Sequence, residues 1–112
     1  MENIEQYTEK LPEEFRLVVR SLDNPIRQAI LVLLSGNLEW PFSSIQKELE
    51  LDKVKLNFHL KNLFSSALID HYYKHEVGNQ KYSYYSITPL GRRVLTYLNR
   101  ALTPPSPTQR IS

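Results

Sequence analysis

The chain contains no cysteine, which excludes disulfides and thiolate metal sites outright. Long apolar runs are missing too: the longest, Ala29 to Leu34, falls far short of the roughly 20 residues needed to cross a bilayer. The opening residues Met1, Glu2, Asn3, Ile4 and Glu5 are acidic and lack the charged-then-apolar order of a secretory signal. A cytoplasmic location with no membrane partner is therefore expected. Glycine is scarce, with three residues in all, and neither a Gly-rich phosphate loop nor a nucleophile motif is present. Asp70-His71 beside tyrosines is too generic a pairing to indicate acid–base chemistry. No cofactor and no catalytic residue is expected, so function must come from a surface rather than a pocket.

What is present fits one domain of 112 residues with short tails. Hydrophobic residues make up 41% and charged residues 23%, the balance of a folded chain rather than a disordered one. The net charge is only +2, but its distribution is uneven. Residues 1–51 hold five basic and nine acidic groups, a net −4, whereas residues 52–112 hold nine basic and three acidic groups, a net +6. A positive C-terminal half suits contact with nucleic acid, although a solvated basic face has the same composition.

Hydrophobic spacing divides the chain into 1–10 as a flexible N-terminus, 11–102 as the folded domain and 103–112 as a disordered, proline-rich tail. A first helix over Glu13 to Ser21 carries Phe15, Val18, Val19 and Leu22 on one stripe. A second opens at Asn24-Pro25, buries Ile26, Ala29, Ile30, Leu33 and Leu34, and meets Gly36, which suits a left-handed cap. Trp40-Pro41-Phe42 reads as a short edge strand. Ser43-Ser44-Ile45-Gln46 matches a capping box for a short helix over Ser44 to Leu49. Glu50-Leu51-Asp52 is a turn, and Asp52 caps a helix from Lys53 to Ser66. Leu68 to Lys74 and Tyr82 to Ile87 read as paired strands around a Gly78-Asn79 turn, and Pro89 opens a last helix to Leu102. Most of the strand tyrosines are expected to pack on the core or pair across strands. The fold class is mainly α with a small β-hairpin, in the order of a winged helix-turn-helix.

In that scaffold the helix from Lys53 is the one offered to the DNA major groove. At about 100° per residue, Leu56, Leu60, Leu63, Phe64 and Ala67 share its inner face. Val54, Phe58, Lys61 and Ser65 share the outer one, with Asn57 on the edge and Lys55 and Asn62 bordering the other side. Lysine attracts phosphate, asparagine can form two hydrogen bonds to adenine, and an exposed Phe58 can press on a thymine methyl. His59 lies on a flank, where a structural hydrogen bond is expected rather than catalysis or metal binding. In the hairpin, Lys74, His75 and Lys81 flank Asn79 and Gln80, a cationic tip that suits the DNA backbone or minor groove; Glu76 opposes this.

The segment Leu22-Asp23-Asn24-Pro25-Ile26-Arg27-Gln28-Ala29-Ile30-Leu31 resembles the opening helix of ArsR-type small winged-helix regulators. Asn57-Phe58-His59-Leu60-Lys61-Asn62-Leu63 resembles their recognition-helix signature, Ala67-Leu68-Ile69 their Gly-Leu-Val, and Tyr85-Ser86-Ile87-Thr88-Pro89-Leu90-Gly91 their entry to the last helix. The resemblance spans about residues 22–102. It implies a dimer that binds double-stranded operator DNA and represses transcription, with Lys53, Val54, Asn57, Phe58 and Lys61 at base- or phosphate-contacting positions. Ser43, Ser44, Lys55, Lys74, His75, Asn79, Gln80 and Lys81 complete the expected DNA surface. The chain departs from the family at Asn57, Phe58 and Ala67, which replace serine, a polar residue and glycine. The metal sensing common in that family has no support here: the last helix carries no His, Asp or Glu, and His71 and His75, on a strand and its loop, do not converge.

Surplus apolar residues on the terminal helices, Leu11, Phe15, Leu17, Leu95, Leu98 and Leu102, suit a homodimer interface. The alternative reading is a winged-helix adaptor that binds protein rather than DNA, which the modest net charge and exposed Phe58 favour.

Overall fold

A computed structural model describes residues 4–9, 12–75 and 81–102. The expected hairpin tip, the tail from 103 and Leu11 lie outside the described residues. A five-residue helix α1 (Ile4–Thr8) stands in the stretch expected to be unstructured. It is followed by α2 (Glu13–Leu22) and α3 (Pro25–Leu34).

Asn24 caps α3 as its side chain predicts: Oδ1 accepts from the N–H groups of Ile26 at 2.8 Å and Arg27 at 3.2 Å, satisfying two otherwise orphaned donors. The other end differs from expectation. Gly36 does not take the left-handed conformation. Ser35 closes α3 in right-handed geometry, its hydroxyl donates to the Val32 carbonyl at 2.6 Å, and the Gly36 N–H donates to Leu33 O at 3.1 Å. The terminal carbonyls are thus satisfied without a reversal of φ.

Strand β1 (Trp40–Pro41) leads directly into α4 (Phe42–Leu49). The capping box at Ser43 does not form. Because Trp40 and Pro41 are drawn into pairing with Tyr85 and Tyr84, the helix starts at Phe42 with Pro41 in the capping position, and Ser43 and Ser44 fall inside its first turn. Glu50 ends α4 with φ 53° and ψ 46°, and this left-handed residue makes the turn. Asp52 then caps α5 (Lys53–Ser65), its Oδ1 accepting from Lys55 N at 2.8 Å.

The hairpin strands β2 (Ile69–His75) and β3 (Lys81–Ile87) run antiparallel from Ile69 opposite Ile87 to His75 opposite Lys81. With β1 on the far side they form a sheet in the order β1-β3-β2. Tyr72 stacks on its cross-strand partner Tyr84, with ring centroids 6.2 Å apart. His75 is therefore the last residue of a strand rather than part of a loop. Helix α6 (Pro89–Leu102) follows.

Ile30, Leu31 and Leu34 of α3, Ile45 of α4 and Leu56, Leu60 and Leu63 of α5 close on Leu68, Ile69, Tyr85 and Ile87 to make the core. Two residues expected on the inner face of α5 are not in it. Phe64 is half exposed and meets His71 edge-on, with centroids 6.3 Å apart. Ala67 lies past the end of the helix, where the angular projection no longer applies. There it holds φ 63°, a conformation that costs a non-glycine residue about 1–2 kcal/mol. On α2, Val18 and Leu22 pack on the core, but Phe15 and Val19 are each 53% exposed, so only half of that stripe is used.

Thr88 ties the end of α5 to the start of α6. Its N–H donates to Leu68 O at 3.1 Å, its hydroxyl donates to the Ala67 and Leu68 carbonyls at 2.8 and 3.0 Å, and it accepts from Gly91 N at 3.0 Å. The sheet and α5 are thereby fixed relative to each other, which sets the angle between hairpin and helix.

Candidate nucleic-acid interface

Helix α5 is held from beneath by Leu56, Leu60 and Leu63, all fully buried. Its outer side is open. Val54, Lys55, Asn57, Phe58, Lys61 and Ser65 are all exposed, as the angular reading requires, and Lys53, which projects near the core angle, is exposed at the helix tip. Val54 is 80% and Phe58 63% exposed, values that remove both from the core. Asn62 turns inward instead: its Oδ1 accepts from the Ser21 hydroxyl at 2.5 Å, a bond that anchors α5 to α2.

His59 is buried and lies edge-on to the Phe58 ring at 5.2 Å. The expected structural hydrogen bond is not made through Nδ1, which has no partner among the described residues; packing takes its place. Burial first, then the positive charges of Arg27 and Lys55, hold the His59 pKa below its ordinary value, so the imidazole adds no cation to this face.

The hairpin contributes differently from expectation. Lys81 and His75 are exposed at its open end. Lys74 instead forms an ion pair with Glu39 from the segment before β1, and its Nζ lies 5.0 Å from the Tyr84 ring centroid. Glu39 also accepts from the Tyr72 hydroxyl. These two donors, Lys74 first, lower the Glu39 pKa. Burial, followed by the bond to Glu39, pushes the Tyr72 phenol up to about 12. Sequence reasoning missed Glu39, because nothing in a chain of separate local patterns connects it to a lysine 35 residues away. Asn79 and Gln80 lie outside the described residues. Ser43 is exposed and Ser44 half-buried in the first turn of α4.

No family model matches the chain, and no curated protein matches it. Solved structures do. The transcriptional regulator homologue from Pyrococcus horikoshii is 28% identical, with a TM-score of 0.62 over 81% of this chain and 95% of that one. HlyU from Vibrio cholerae is 20% identical, with a TM-score of 0.64 over 91% and 98%. The transcriptional repressor BigR from Xylella fastidiosa is 15% identical, with a TM-score of 0.65 over 90% and 98%.

The fold is a winged helix-turn-helix. In this frame α4 and α5 occupy the positions of the motif's two helices, α5 that of the recognition helix, and the β2–β3 hairpin that of the wing. Of the residues expected at an interface between copies, Phe15, Leu95 and Leu98 border apolar grooves around α2 and α6, and Leu17 is half-buried. The side chains of Leu11 and Leu102 lie outside the described residues. Among the described residues no helix is long and apolar enough to cross a membrane, and no three His, Asp or Glu side chains cluster as a metal site would.

Proposed function

We propose that this protein is a cytoplasmic, homodimeric regulator of transcription that binds double-stranded DNA sequence-specifically. Its sequence pattern is ArsR-like and its output is repression. The observation that carries this reading is the outer face of α5, where Lys53, Lys55, Asn57 and Lys61 all stand exposed on the recognition helix of a winged scaffold. Lysines supply the salt-dependent attraction to phosphate, and asparagine supplies base readout. The described regulator from Pyrococcus horikoshii supports the same reading, and nothing in it requires a catalytic centre.

The test separates the two kinds of contact. Lys61→Ala is expected to weaken binding to cognate and random duplexes alike and to lower the salt slope by about one. Asn57→Ala is expected to reduce discrimination at one base pair, by roughly 1–3 kcal/mol. Fluorescence anisotropy on both duplexes across a salt series reads both effects; equal losses for both variants on both duplexes would reject the role assignments.

A second reading rests on Val54 and Phe58, whose exposure also suits an apolar docking point for a protein partner. An adaptor of this kind would bind duplex DNA with no preference above that of any weakly basic protein.

A further inference from the structure

Two apolar side chains, Val54 and Phe58, stand exposed on the recognition face beside Lys61, and further cations lie at its sides. Taking Val54 as the reference direction, Phe58 lies about 40° to one side, and Lys61 and Asn57 lie about 20° and 60° to the other. Lys53 and Lys55 stand about 100° away on opposite flanks. A ridge that carries apolar side chains between the bordering ammonium groups of Lys53 and Lys55 matches the cross-section of a DNA major groove, whose walls are phosphate and whose floor is base edges. On that floor the one apolar group offered by any base is the C5-methyl of thymine. Its partner, adenine, is the base that asparagine recognises with two hydrogen bonds.

Exposure and spacing sharpen the match. Val54 and Phe58 are exposed by 80% and 63%, which leaves them no structural duty to Leu56, Leu60 and Leu63 behind them. They lie one helical turn apart, about 6 Å along the axis, close to two base-pair steps of about 3.4 Å. The Phe58 ring also lies edge-on to buried His59, with centroids 5.2 Å apart. Resting on the DNA-binding reading above, we propose that α5 selects sites with thymine·adenine pairs at its centre: Val54 and Phe58 seat on thymine methyl groups about two steps apart, and Asn57 holds an adjacent adenine.

The test uses the full chain. Duplexes retained from a random pool at near-physiological salt are sequenced, and the preferred duplex is remade with single thymines replaced by deoxyuridine, which removes the methyl and leaves every hydrogen-bonding group in place. Affinity is expected to fall roughly fourfold at each of two positions, the value of burying one methyl-sized group. Val54→Ala should abolish the thymine-to-uracil ratio at one position and Phe58→Ala at the other. Lys61→Ala should weaken both duplexes equally and keep the ratio. Equal affinity of the wild-type protein for thymine and uracil duplexes, or a preferred site without thymine at those positions, overturns the proposal while leaving DNA binding intact. Retention of no duplex at any salt overturns the proposal together with the reading it rests on, and so is told apart from the first outcome.

Discussion

Lys74 of the wing and Glu39 of the segment before β1 form an ion pair, so a cation on the hairpin is already neutralised by the body of the domain. Tyr72 donates to the same carboxylate, and Tyr84, stacked on Tyr72, faces the Lys74 ammonium. Four side chains thus tie the wing to the segment before β1.

A lysine already paired with a carboxylate of its own chain releases little counterion when DNA arrives. Lys74→Ala is therefore expected to leave the slope of log affinity against log salt nearly unchanged. Lys81→Ala should reduce it by about 0.9 and Glu39→Gln should increase it by about the same amount, the increment for one phosphate contact. Anisotropy titrations over a salt series measure all three. A loss of slope in Lys74→Ala equal to that in Lys81→Ala would mean that the ion pair opens on DNA.

Gly91 of α6 lies close against Ile87 at the end of β3. A Cβ there would lie 2.7 Å from Ile87 Cγ1 and closer still to the Leu68 carbonyl oxygen, and the carbonyl belongs to backbone already bonded to Thr88. Neither neighbour can yield without disturbing the joint between sheet and helix. Gly91→Ala is expected to destabilise the domain by about 1–3 kcal/mol, which for a chain of this size lowers the melting temperature by roughly 4–8 °C per kcal/mol. A calorimetric scan with an unchanged melting temperature would show that α6 shifts freely.

Acidification below about pH 6.5 should weaken the fold. Burial depresses the pKa of both His59 and His71 below the ordinary 6.5, and His71 is stacked on Tyr85 with centroids 4.5 Å apart. In the unfolded chain both rings take up protons near pH 6.5, whereas in the folded chain they do so only at lower pH. The stability that this difference contributes is complete above about 6.5 and is lost as pH falls through the folded values. Urea midpoints compared at pH 7.5 and pH 5 should fall, and a His59→Gln, His71→Gln double variant should flatten the dependence. A midpoint that rises on acidification would contradict the burial of both rings.

Much of this architecture was legible because its signals are local. Asn24-Pro25 and Asp52 announce helix starts through their own side chains, and the leucine spacing of α5 sets its exposed face directly. The features that escaped depend on distant partners. Ser43 failed as a cap because Trp40 and Pro41 pair with β3, more than 40 residues away, and pull the helix start forward. Phe64 left the core because His71 supplies a ring at the boundary. Ala67 shows the converse: the resemblance placed it where glycine is usual, and its backbone does adopt the left-handed angle despite the side chain. The Glu39–Lys74 pair has no sequence signature at all, and it changes the reading of the wing more than any helix boundary does.

Apolar surface is left over on α2, α3 and α6 once the core is closed. Val19, Leu22, Val32, Leu95 and Leu98, from α2, α3 and α6, line a groove of about 610 Å³ with Arg20, Asp23 and Gln28 beside them, and Phe15, Val32 and Leu98 are 53%, 61% and 42% exposed. A second copy seated there would cover them and carry a second recognition helix to the next turn of DNA. Leu98→Glu places a charge at the centre of this surface without touching the core, so it should yield a folded monomer by sedimentation velocity. Since the second half-site then no longer binds intramolecularly, affinity for a two-site duplex should fall by at least tenfold while affinity for a single half-site stays the same. A Leu98→Glu protein that remains dimeric, while Phe15→Glu dissociates, would move the interface to α2; a wild-type chain that sediments as a monomer at high concentration would remove the dimer altogether.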